Sequence, residues 1–584
     1  MENFNQITST IWNIADILRG GWKQHEYQDV ILPLMVLKRL DCILADTKPQ
    51  VLEQYHQYKD KVKDPDPILK RVAGAEFYNI SPYDLKKLIE DPRNIAKNFK
   101  KYLNDYSKNI QEIFEKFDFA KQLERLEGGN ILFEIIQKLN QVDLHPKKVD
   151  NHAMGLAFEE LLRKFSEMSN ETAGEHYTSR DIIKLMVEVL FKPDETILKK
   201  PHVIKTIYDP ACGTGGMLTI GKNYIQENIN KGAEIYLYGQ ELNSVTYAMA
   251  KSDMLITGEN PGFIKGGEKD PSKASTLSND QFFGESFDYG ISNPPYGVDW
   301  KKDKDAVERE HARGYAGRFG AGLPRISDGQ LLFLEHLVSK MRPEKDGGSR
   351  IAIVHNGSPL FTGDAGSGES EIRRWVLEKD LLETIVALPD QLFYNTGINT
   401  YLWFLTNRKS KERKGKVQLV DARGFYHKMR KSLGNKRHEI TAEDRVKIVE
   451  LYEKFEENEF SKIFKTTDFA FRQITIERPL MVDGKISKDK KGNIEIDKSL
   501  RDYENVPWDT DVNEYFKKEV KPYVPDAWIN ESVVDHKDSK IGVVGYEIPF
   551  TRYFYKYEAP RSLEAIEADI EKVENELLTL LKQL

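Results

Sequence analysis

The chain has 584 residues, of which 40% are hydrophobic and 31% charged, a balance typical of globular proteins. Its length exceeds one ordinary domain of roughly 150 residues and predicts several units. The formal net charge of −7 excludes a protein that coats nucleic acid unaided, because phosphate binding needs a concentrated excess of Lys and Arg. Any contact with nucleic acid must be local or shared with a partner.

The cysteine content and the hydropathy pattern restrict the class of protein further. Neither Cys42 nor Cys212 has a second thiol or a histidine at metal-ligand spacing in the sequence, so we expect neither a disulfide nor a metal site. A reducing cytoplasm is the simplest setting. The first residues lack the features of a signal peptide, and no stretch of about 18 apolar residues is present, so we expect no membrane association.

Two regions with different periodicity make up most of the chain. Residues 1–165 carry apolar side chains at spacings of three and four, which predicts a helical domain. Residues 166–410 alternate short β-branched runs, such as HVIKTIYD, EIYLYGQE and FDYGISNPP, with helical stretches. This alternation predicts an α/β fold with a doubly wound, mostly parallel, Rossmann-like sheet, whose ligands bind at the carboxyl ends of the strands.

A glycine-rich segment, DPACGTGG (209–216), lies between a strand predicted over 203–208 and a helix predicted over 217–230. Gly213, Thr214 and Gly215 permit a sharp turn and a close approach to a nucleoside. A dinucleotide would also fit such a turn. An ATP-binding phosphate loop is disfavoured, because it requires a Gly-Lys-Ser/Thr sequence that does not follow here. Asp209 is placed to accept hydrogen bonds from an ammonium or hydroxyl group, which suits the methionine end of S-adenosylmethionine.

An acidic residue, Glu241, stands at the carboxyl end of the next predicted strand. In this fold an acid at that place bonds the ribose hydroxyls of an adenosine. A solvated surface glutamate is the alternative interpretation. The position of Glu241 after the glycine-rich loop favours the ribose contact.

The sequence Asn293-Pro294-Pro295-Tyr296 directly follows a strand predicted over 289–292. Adjacent prolines end a strand in a rigid loop, but a mere turn does not explain the flanking Asn and Tyr. An exocyclic purine amine is a poor nucleophile, and acceptors for its hydrogens turn its lone pair toward an electrophile. The side-chain oxygen of Asn293 and the carbonyl of Pro294 are two such acceptors, and Tyr296 can stack on a base flipped out of a duplex.

The carboxyl-terminal part carries two weaker patterns. Residues 411–560 begin with a basic stretch, interpreted either as a solvated surface or as a phosphate-contacting patch, and continue with turn signals at Asp483-Gly484 and Gly492-Asn493. Residues 561–584 keep an a/d heptad seam, which predicts a helix packed on its own domain or paired with another subunit. The seam residues are Leu563, Ile566, Ile570, Val573, Leu577, Leu580 and Leu584.

The combination of motifs from Glu175 to Leu405 resembles the amino-methyltransferases that carry Asn-Pro-Pro-Tyr, and in detail the modification subunit of type I restriction-modification systems. The resemblance rests on GEHYTSR, DPACGTGG, GQELN and NPPYG in that order, and on IAIVHNGSPLF and IVALPDQLFYNTGINTYLWFL. At the amino terminus, IWNIADILRG and YQDVILPLMVLKRLD are similar to the helical domain of the same subunits. The resemblance implies the fold of class I S-adenosylmethionine-dependent methyltransferases.

The resemblance also implies roles for individual residues. One segment would close over S-adenosylmethionine, the glycine-rich loop would line it, Glu241 would hold its ribose and the Asn-Pro-Pro-Tyr motif would hold a flipped adenine. Many relatives carry an acid for the cofactor's adenine where this chain has Ser275, so Ser275 and Asn279 are only candidates for that contact. The segment predicted to close over the cofactor consists of Glu175, His176, Tyr177, Thr178, Ser179 and Arg180.

The resemblance implies methylation of adenine N6 in double-stranded DNA, with partners. The family borrows target recognition from a specificity subunit. The resemblance implies that two copies of the modification subunit clamp DNA around one specificity subunit and that a helicase-nuclease subunit adds cleavage. Three alternatives remain. They are a self-sufficient adenine methyltransferase that recognises DNA through residues 410–560, a protein glutamine methyltransferase, and an NAD-binding or catalytically silent protein.

Overall fold

The computed structural model describes residues 2–168, 178–393, 397–433, 435–555 and 563–581. The chain divides into two compact units, Met1–Ile548 and Pro549–Leu584. No helix in these ranges is long and apolar enough to span a membrane.

The amino-terminal part of the first unit is helical, as the periodicity predicts. Helix α2 forms its centre, because its almost uninterrupted apolar sequence is buried on nearly every side. The helices are α1 (Glu2–Leu18), α2 (Tyr27–Leu44), α3 (Lys48–Tyr58), α4 (Asp66–Ala73), α5 (Leu85–Leu88), α6 (Ile95–Asn104), α7 (Lys108–Lys116), α8 (Phe119–Gly128), α9 (Leu132–Leu139) and α10 (Asn151–Met168).

A nine-stranded sheet follows, in the order β11-β8-β6-β7-β5-β4-β1-β2-β3. All strands run parallel except β7 and β11, which confirms the predicted α/β class. The strands are β1 (Ile204–Asp209), β2 (Glu234–Glu241), β3 (Ile264–Gly266), β4 (Tyr289–Ser292), β5 (Arg350–Asn356), β6 (Leu382–Ala387), β7 (Thr400–Thr406), β8 (Lys416–Asp421) and β11 (Ser461–Lys465).

Helices cover this sheet and connect its strands. The predicted helix over 217–230 is α13, whose end continues into a π-helical turn over Ile225–Ile229. The helices are α11 (Arg180–Phe191), α12 (Glu195–Leu198), α13 (Gly216–Tyr224), α14 (Ser244–Thr257), α15 (Pro271–Ala274), α16 (Lys304–His311), α17 (Gln330–Ser339), α18 (Ser358–Phe361), α19 (Gly368–Glu378) and α20 (Ala442–Lys454).

The helical part shares a hydrophobic core with α14, one of the helices that cover the sheet. Ala248, Met249, Leu255 and Ile256 of α14 are buried in the same cluster as the helices of residues 1–165. Within the helical part, the Arg39 guanidinium donates to the carbonyl oxygen of Val149 (2.8 Å) and to the Asn151 side chain (2.8 Å) at the start of α10. The helical part is therefore packed against α14.

The sheet continues beyond residue 410, where the sequence led us to expect the catalytic domain to end. Strands β8 and β11 extend it at one edge, and α20 packs beside β8. Between them a separate hairpin is formed by β9 (His427–Leu433) and β10 (Lys436–Glu439). Strands β8 and β11 are short and together carry charges of both signs. The sequence therefore did not predict that they would pair with a sheet formed by residues far upstream.

A second, antiparallel sheet completes the first unit. It contains β12 (Ala470–Glu477), β15 (Asp502–Pro507), β16 (Trp528–Ile529) and β17 (Val543–Tyr546). The small hairpin β13 (Met481–Val482) and β14 (Lys485–Ile486) turns at Asp483 and Gly484, whose φ angles are 50° and 74°. That turn was predicted from the Asp-Gly dipeptide. The short helix α21 (Val512–Tyr515) also lies in this region.

The second unit contains α22 (Phe550–Tyr553) and the helix α23 (Leu563–Leu581). The predicted carboxyl-terminal helix is thus present. Its seam residues Leu563, Ile566, Ile570, Val573 and Leu577 are between 41% and 69% exposed. Pairing of this helix in a coiled coil stays a prediction.

A buried ion pair joins the second sheet to α19. Arg374 donates to both carboxylate oxygens of Asp535, over 2.9 and 3.2 Å, and the side chains are only 4% and 0% exposed. The Asp535 carboxylate also accepts from the backbone N–H of Val544 at 3.0 Å. The segment before β17 is therefore fixed to α19 by this buried pair, and Lys537 adds a second ion pair with Glu378 (3.1 Å).

We expect Arg374→Met to destabilise the fold by about 3–5 kcal/mol, because it leaves a buried carboxylate without its cation. The measurement is the midpoint of thermal unfolding, together with the rate of proteolysis near Asp535. Lys454→Met is the control, because its partner Glu450 is exposed and the pair contributes at most about 1 kcal/mol. Equal effects of the two substitutions would contradict this role.

Candidate functional site

Three sequence motifs meet at the carboxyl edge of the nine-stranded sheet. Strand β1 lies between β4 and β2, and both neighbours run parallel to it. The carboxyl ends of the three strands therefore bring Asp209, Glu241 and Asn293 to one edge. This is the edge at which the sequence predicted a ligand site.

The glycine-rich loop after β1 folds over the end of β2. Gly213 and Gly215 have φ angles of 55° and 85°, in the left-handed region that favours glycine. The backbone N–H of Cys212 donates to the Gln240 carbonyl (3.0 Å). A Cβ at Gly239 would lie only 2.8 Å from the Cys212 sulfur, so glycine is required there too. Thr214 and Gly215 then lead directly into α13.

Asp209 is buried at the end of β1 and keeps one unpaired oxygen. Its Oδ1 accepts from the Ser292 hydroxyl (2.7 Å) and from the Ala211 backbone N–H (3.0 Å), whereas Oδ2 has no partner among the residues described. The pKa of Asp209 is raised to about 7, mainly by burial and to a smaller extent by the charge of Glu241. The two hydrogen bonds act in the opposite direction and lower the pKa. The side chain is poised to accept a cationic donor.

Glu241 clamps the glycine-rich loop. Its Oε2 accepts from the backbone N–H of Gly213 (2.9 Å), and its Oε1 accepts from the backbone N–H of Asn243 (2.8 Å). A carboxylate oxygen can accept more than one hydrogen bond, as a contact with a ligand hydroxyl would require. Sequence reasoning predicted the ligand contact but not the clamp.

The Asn-Pro-Pro-Tyr motif presents one unpaired acceptor. The Asn293 side-chain nitrogen donates to the Thr178 hydroxyl (2.9 Å), while its Oδ1 is buried without a partner in the described part of the chain. Pro294 is buried, Pro295 is exposed, and Tyr296 is partly buried. Burial raises the pKa of Tyr296 to about 12, so its phenol stays neutral at physiological pH.

A neighbouring loop supports the motif from the other side. The Asp328 carboxylate accepts from the backbone N–H of Gly297 (3.1 Å) and from the Gln330 side chain (2.6 Å). The Gly329 N–H donates to the Val298 carbonyl (3.1 Å). Sequence reasoning missed Asp328, and the only sign of it was an Asp-Gly pair before a helix.

The segment predicted to close over the cofactor is only partly described. Thr178, Ser179 and Arg180 lie at the start of α11, whereas Glu175, His176 and Tyr177 fall outside the described residues. A cavity of about 700 Å³ is lined by Arg180, Thr214 and Gly216 together with residues of α11, α13 and α14, whereas Asp209, Glu241 and Asn293 are not among its described lining residues. The glycine-rich loop and α11 thus face a common space.

The two candidates for the cofactor's adenine lie in a turn beside β2. Ser275 Oγ accepts from the Leu277 N–H (3.3 Å), and the Asn279 side chain donates to the Lys273 carbonyl (2.6 Å). Both side chains thus help to shape the turn. Their contact with a cofactor stays a prediction.

Metal ligands were not expected from the sequence. Within the described ranges, no group of three or more His, Cys, Asp and Glu side chains is arranged to hold a metal ion. Cys42 and Cys212 are both free and buried.

Comparisons with known proteins identify relatives of this chain. The chain is 24% identical, over 80% of its length and 80% of the relative's, to the "Type I restriction enzyme MjaIX methylase subunit" of Methanocaldococcus jannaschii. It is 27% identical to the "Type I restriction enzyme EcoEI methylase subunit" of Escherichia coli, over 68% of this chain and 75% of that one.

A solved structure shares the fold. The type I restriction-modification system methyltransferase subunit from Streptococcus thermophilus superimposes with a TM-score of 0.61 at 23% identity, over 80% of this chain and 97% of that one. The model of the HsdM N-terminal domain matches residues 7–139. The N-6 DNA methylase model matches residues 149–489, more than half of the chain. The chain therefore belongs to the N-6 DNA methylase family.

Proposed function

We propose that this protein transfers a methyl group from S-adenosylmethionine to N6 of adenine in double-stranded DNA, as the modification subunit of a type I restriction-modification complex. The buried Asn293 Oδ1, which has no partner among the described residues, is the observation that carries the proposal. An acceptor without a donor is costly inside a protein, and a nucleobase amine is the donor that the fold family would bring to it.

The residues of the carboxyl edge fit S-adenosylmethionine. Asp209 Oδ2 would accept from the cofactor's ammonium group, Gly213 to Gly215 would lie along it, and Glu241 would accept from its ribose hydroxyls. The bound cofactor supplies an electrophilic methyl group. Thr178, Ser179 and Arg180 start α11 on the same edge, and with Glu175, His176 and Tyr177 they would cover the cofactor.

The Asn-Pro-Pro-Tyr motif would hold the target base. Asn293 Oδ1 and the Pro294 carbonyl would accept the two amine hydrogens, which turns the nitrogen lone pair outward. Because Thr178 fixes the Asn293 amide and the prolines fix the backbone, these acceptors need no rearrangement. Tyr296 would stack on the flipped base as a neutral phenol, consistent with its raised pKa.

The partners follow from the relatives and from α23. The relatives are named as methylase subunits, and the exposed seam of α23 is the kind of surface that pairs with another helix. We infer that α23 docks on a specificity subunit, that two copies of this chain flank it, and that a helicase-nuclease subunit joins the full complex. A self-sufficient methyltransferase that reads DNA through residues 410–560 is the alternative.

We expect Asn293→Ala to lower kcat at least about 100-fold, because it removes an acceptor that acts on the developing charge. The dissociation constant of S-adenosylmethionine should change less than about threefold. Transfer of labelled methyl groups to DNA and calorimetric cofactor binding measure the two effects. Asn493→Ala, in an exposed turn, is the control. Loss of cofactor binding in Asn293→Ala would contradict the assigned role.

Cofactor affinity should depend on the ionisation of Asp209. Its pKa is raised to about 7, so the carboxyl is neutral at lower pH and cannot neutralise an ammonium group. We expect the affinity to fall roughly tenfold per unit as the pH drops below about 7. Calorimetry between pH 5 and 7 tests this, with Asp209→Asn as the comparison. If the cofactor affinity of Asp209→Asn falls with pH as steeply as that of the wild type, another group is responsible for the pH dependence.

Methylation should require a partner bound through α23. The purified chain and its complex with a co-expressed specificity partner are assayed for N6-methyladenine in foreign genomic DNA. We expect Ile570→Lys to abolish co-purification, because it places a charge in the seam, while Glu571→Lys on the same helix leaves it intact. Equal methylation by the chain alone would instead favour the self-sufficient enzyme.

A further inference from the structure

The basic stretch after β7 separates into buried and exposed cations. Arg408 pairs with Asp194 (2.9 Å), and Lys409, only 6% exposed, pairs with Asp380. Arg413 is likewise buried, with its guanidinium over the Tyr452 ring. All three side chains are engaged within the protein, and the burial of Lys409 and Arg413 keeps these two from contacting a phosphate.

The exposed cations of the stretch form two groups, Lys411, Lys414 and Lys416 before or at the start of β8, and a second group on the hairpin of β9 and β10. We call residues 427–439 the basic hairpin, and its sequence HKMRKSLGNKRHE contains five Lys or Arg residues and one acid. Lys428, Arg430 and Arg437 are exposed on it, and in the described ranges none of them has an ion-pair partner. A local excess of positive charge therefore stands out on a chain of net charge −7.

The base of the basic hairpin is anchored beside the candidate site. Lys436 donates to the Asp181 carboxylate (2.9 Å), and the Ile440 N–H donates to the same carboxylate (3.0 Å). Asp181 belongs to the first turn of α11, next to Thr178, whose hydroxyl accepts from Asn293. The chain also enters the hairpin from the carboxyl end of β8. The free cations thus project from the edge of the sheet that carries the site.

We propose that the basic hairpin binds the phosphate backbone of double-stranded DNA next to the adenine held by Asn293. The inference rests on the proposed function and adds a DNA contact outside the catalytic motifs. Exposed Lys and Arg side chains on a short hairpin contact phosphates irrespective of base sequence, and they position the duplex without reading it. An acidic chain needs such a local contact to bring DNA to its catalytic edge.

The test uses the triple variant Lys428→Gln, Arg430→Gln and Arg437→Gln in the complex with its specificity partner. Binding of a labelled duplex of arbitrary sequence is measured as a function of salt concentration. Loss of three phosphate contacts should lower the slope of log affinity against log salt by roughly 2.7, and weaken binding at least about tenfold at moderate salt. Cofactor affinity should not change.

The matched control is Lys231→Gln, Lys345→Gln and Lys379→Gln. These exposed residues precede β2, β5 and β6 and so lie at the amino edge of the sheet, away from the site. The control removes the same formal charge and should keep the wild-type slope to within about one unit. Equal slopes in the two triple variants would overturn the proposal, because net charge alone would then explain the effect.

The remaining outcomes are also decisive. An unchanged slope with loss of the specificity partner would make the basic hairpin a protein-binding element and overturn the DNA contact. Failure of the wild-type complex to bind the duplex at low salt would do the same. If wild-type complex binds DNA in a hairpin-dependent way but transfers no methyl group, the hairpin contact stands and the proposed function fails.

Discussion

The parallel pairing of β1 with β4 is the constraint on which the site depends. It sets the glycine-rich loop beside the Asn-Pro-Pro-Tyr motif, and the Ser292 hydroxyl then joins the two by donating to Asp209 over 2.7 Å. Glu241 adds the end of β2 through the backbone of Gly213. The loops at this edge are rigid because side chains of neighbouring strands hold them, and a site for a charged cofactor and a nucleobase gains from such preorganisation.

The same edge contains polar atoms that the fold leaves unsatisfied. Asp209 Oδ2 and Asn293 Oδ1 are both buried without partners among the described residues, and each such group costs about 1–3 kcal/mol. Buried atoms without partners also occur elsewhere in the described residues, as at Glu335 Oε2, whereas the charges of Arg374 and Asp535 are closely paired. Unsatisfied acceptors that cluster at the carboxyl ends of adjacent strands are expected where a ligand supplies the missing donors.

The parts outside the sheet are attached to it by specific contacts. The helical part shares a core through α14, the second sheet is held by Asp535, and the basic hairpin is anchored at Asp181. Each of these contacts is made to an element that carries the site or to a neighbour of such an element. The basic hairpin, proposed to contact DNA, is one of the parts attached in this way.

The sequence alone determined the helical start, the α/β alternation, the three motifs of the carboxyl edge and the carboxyl-terminal helix, because periodicity and turn residues act over a few neighbours. Only the tertiary structure decided that β8 and β11 join the sheet, that Lys409 and Arg413 are buried while Arg408 pairs with Asp194, and that Thr178 fixes the Asn293 amide. These features depend on pairing between residues far apart in the chain. A local pattern carries no information on which distant strand or carboxylate will be adjacent, so the division of the basic stretch into structural and exposed cations was settled by packing.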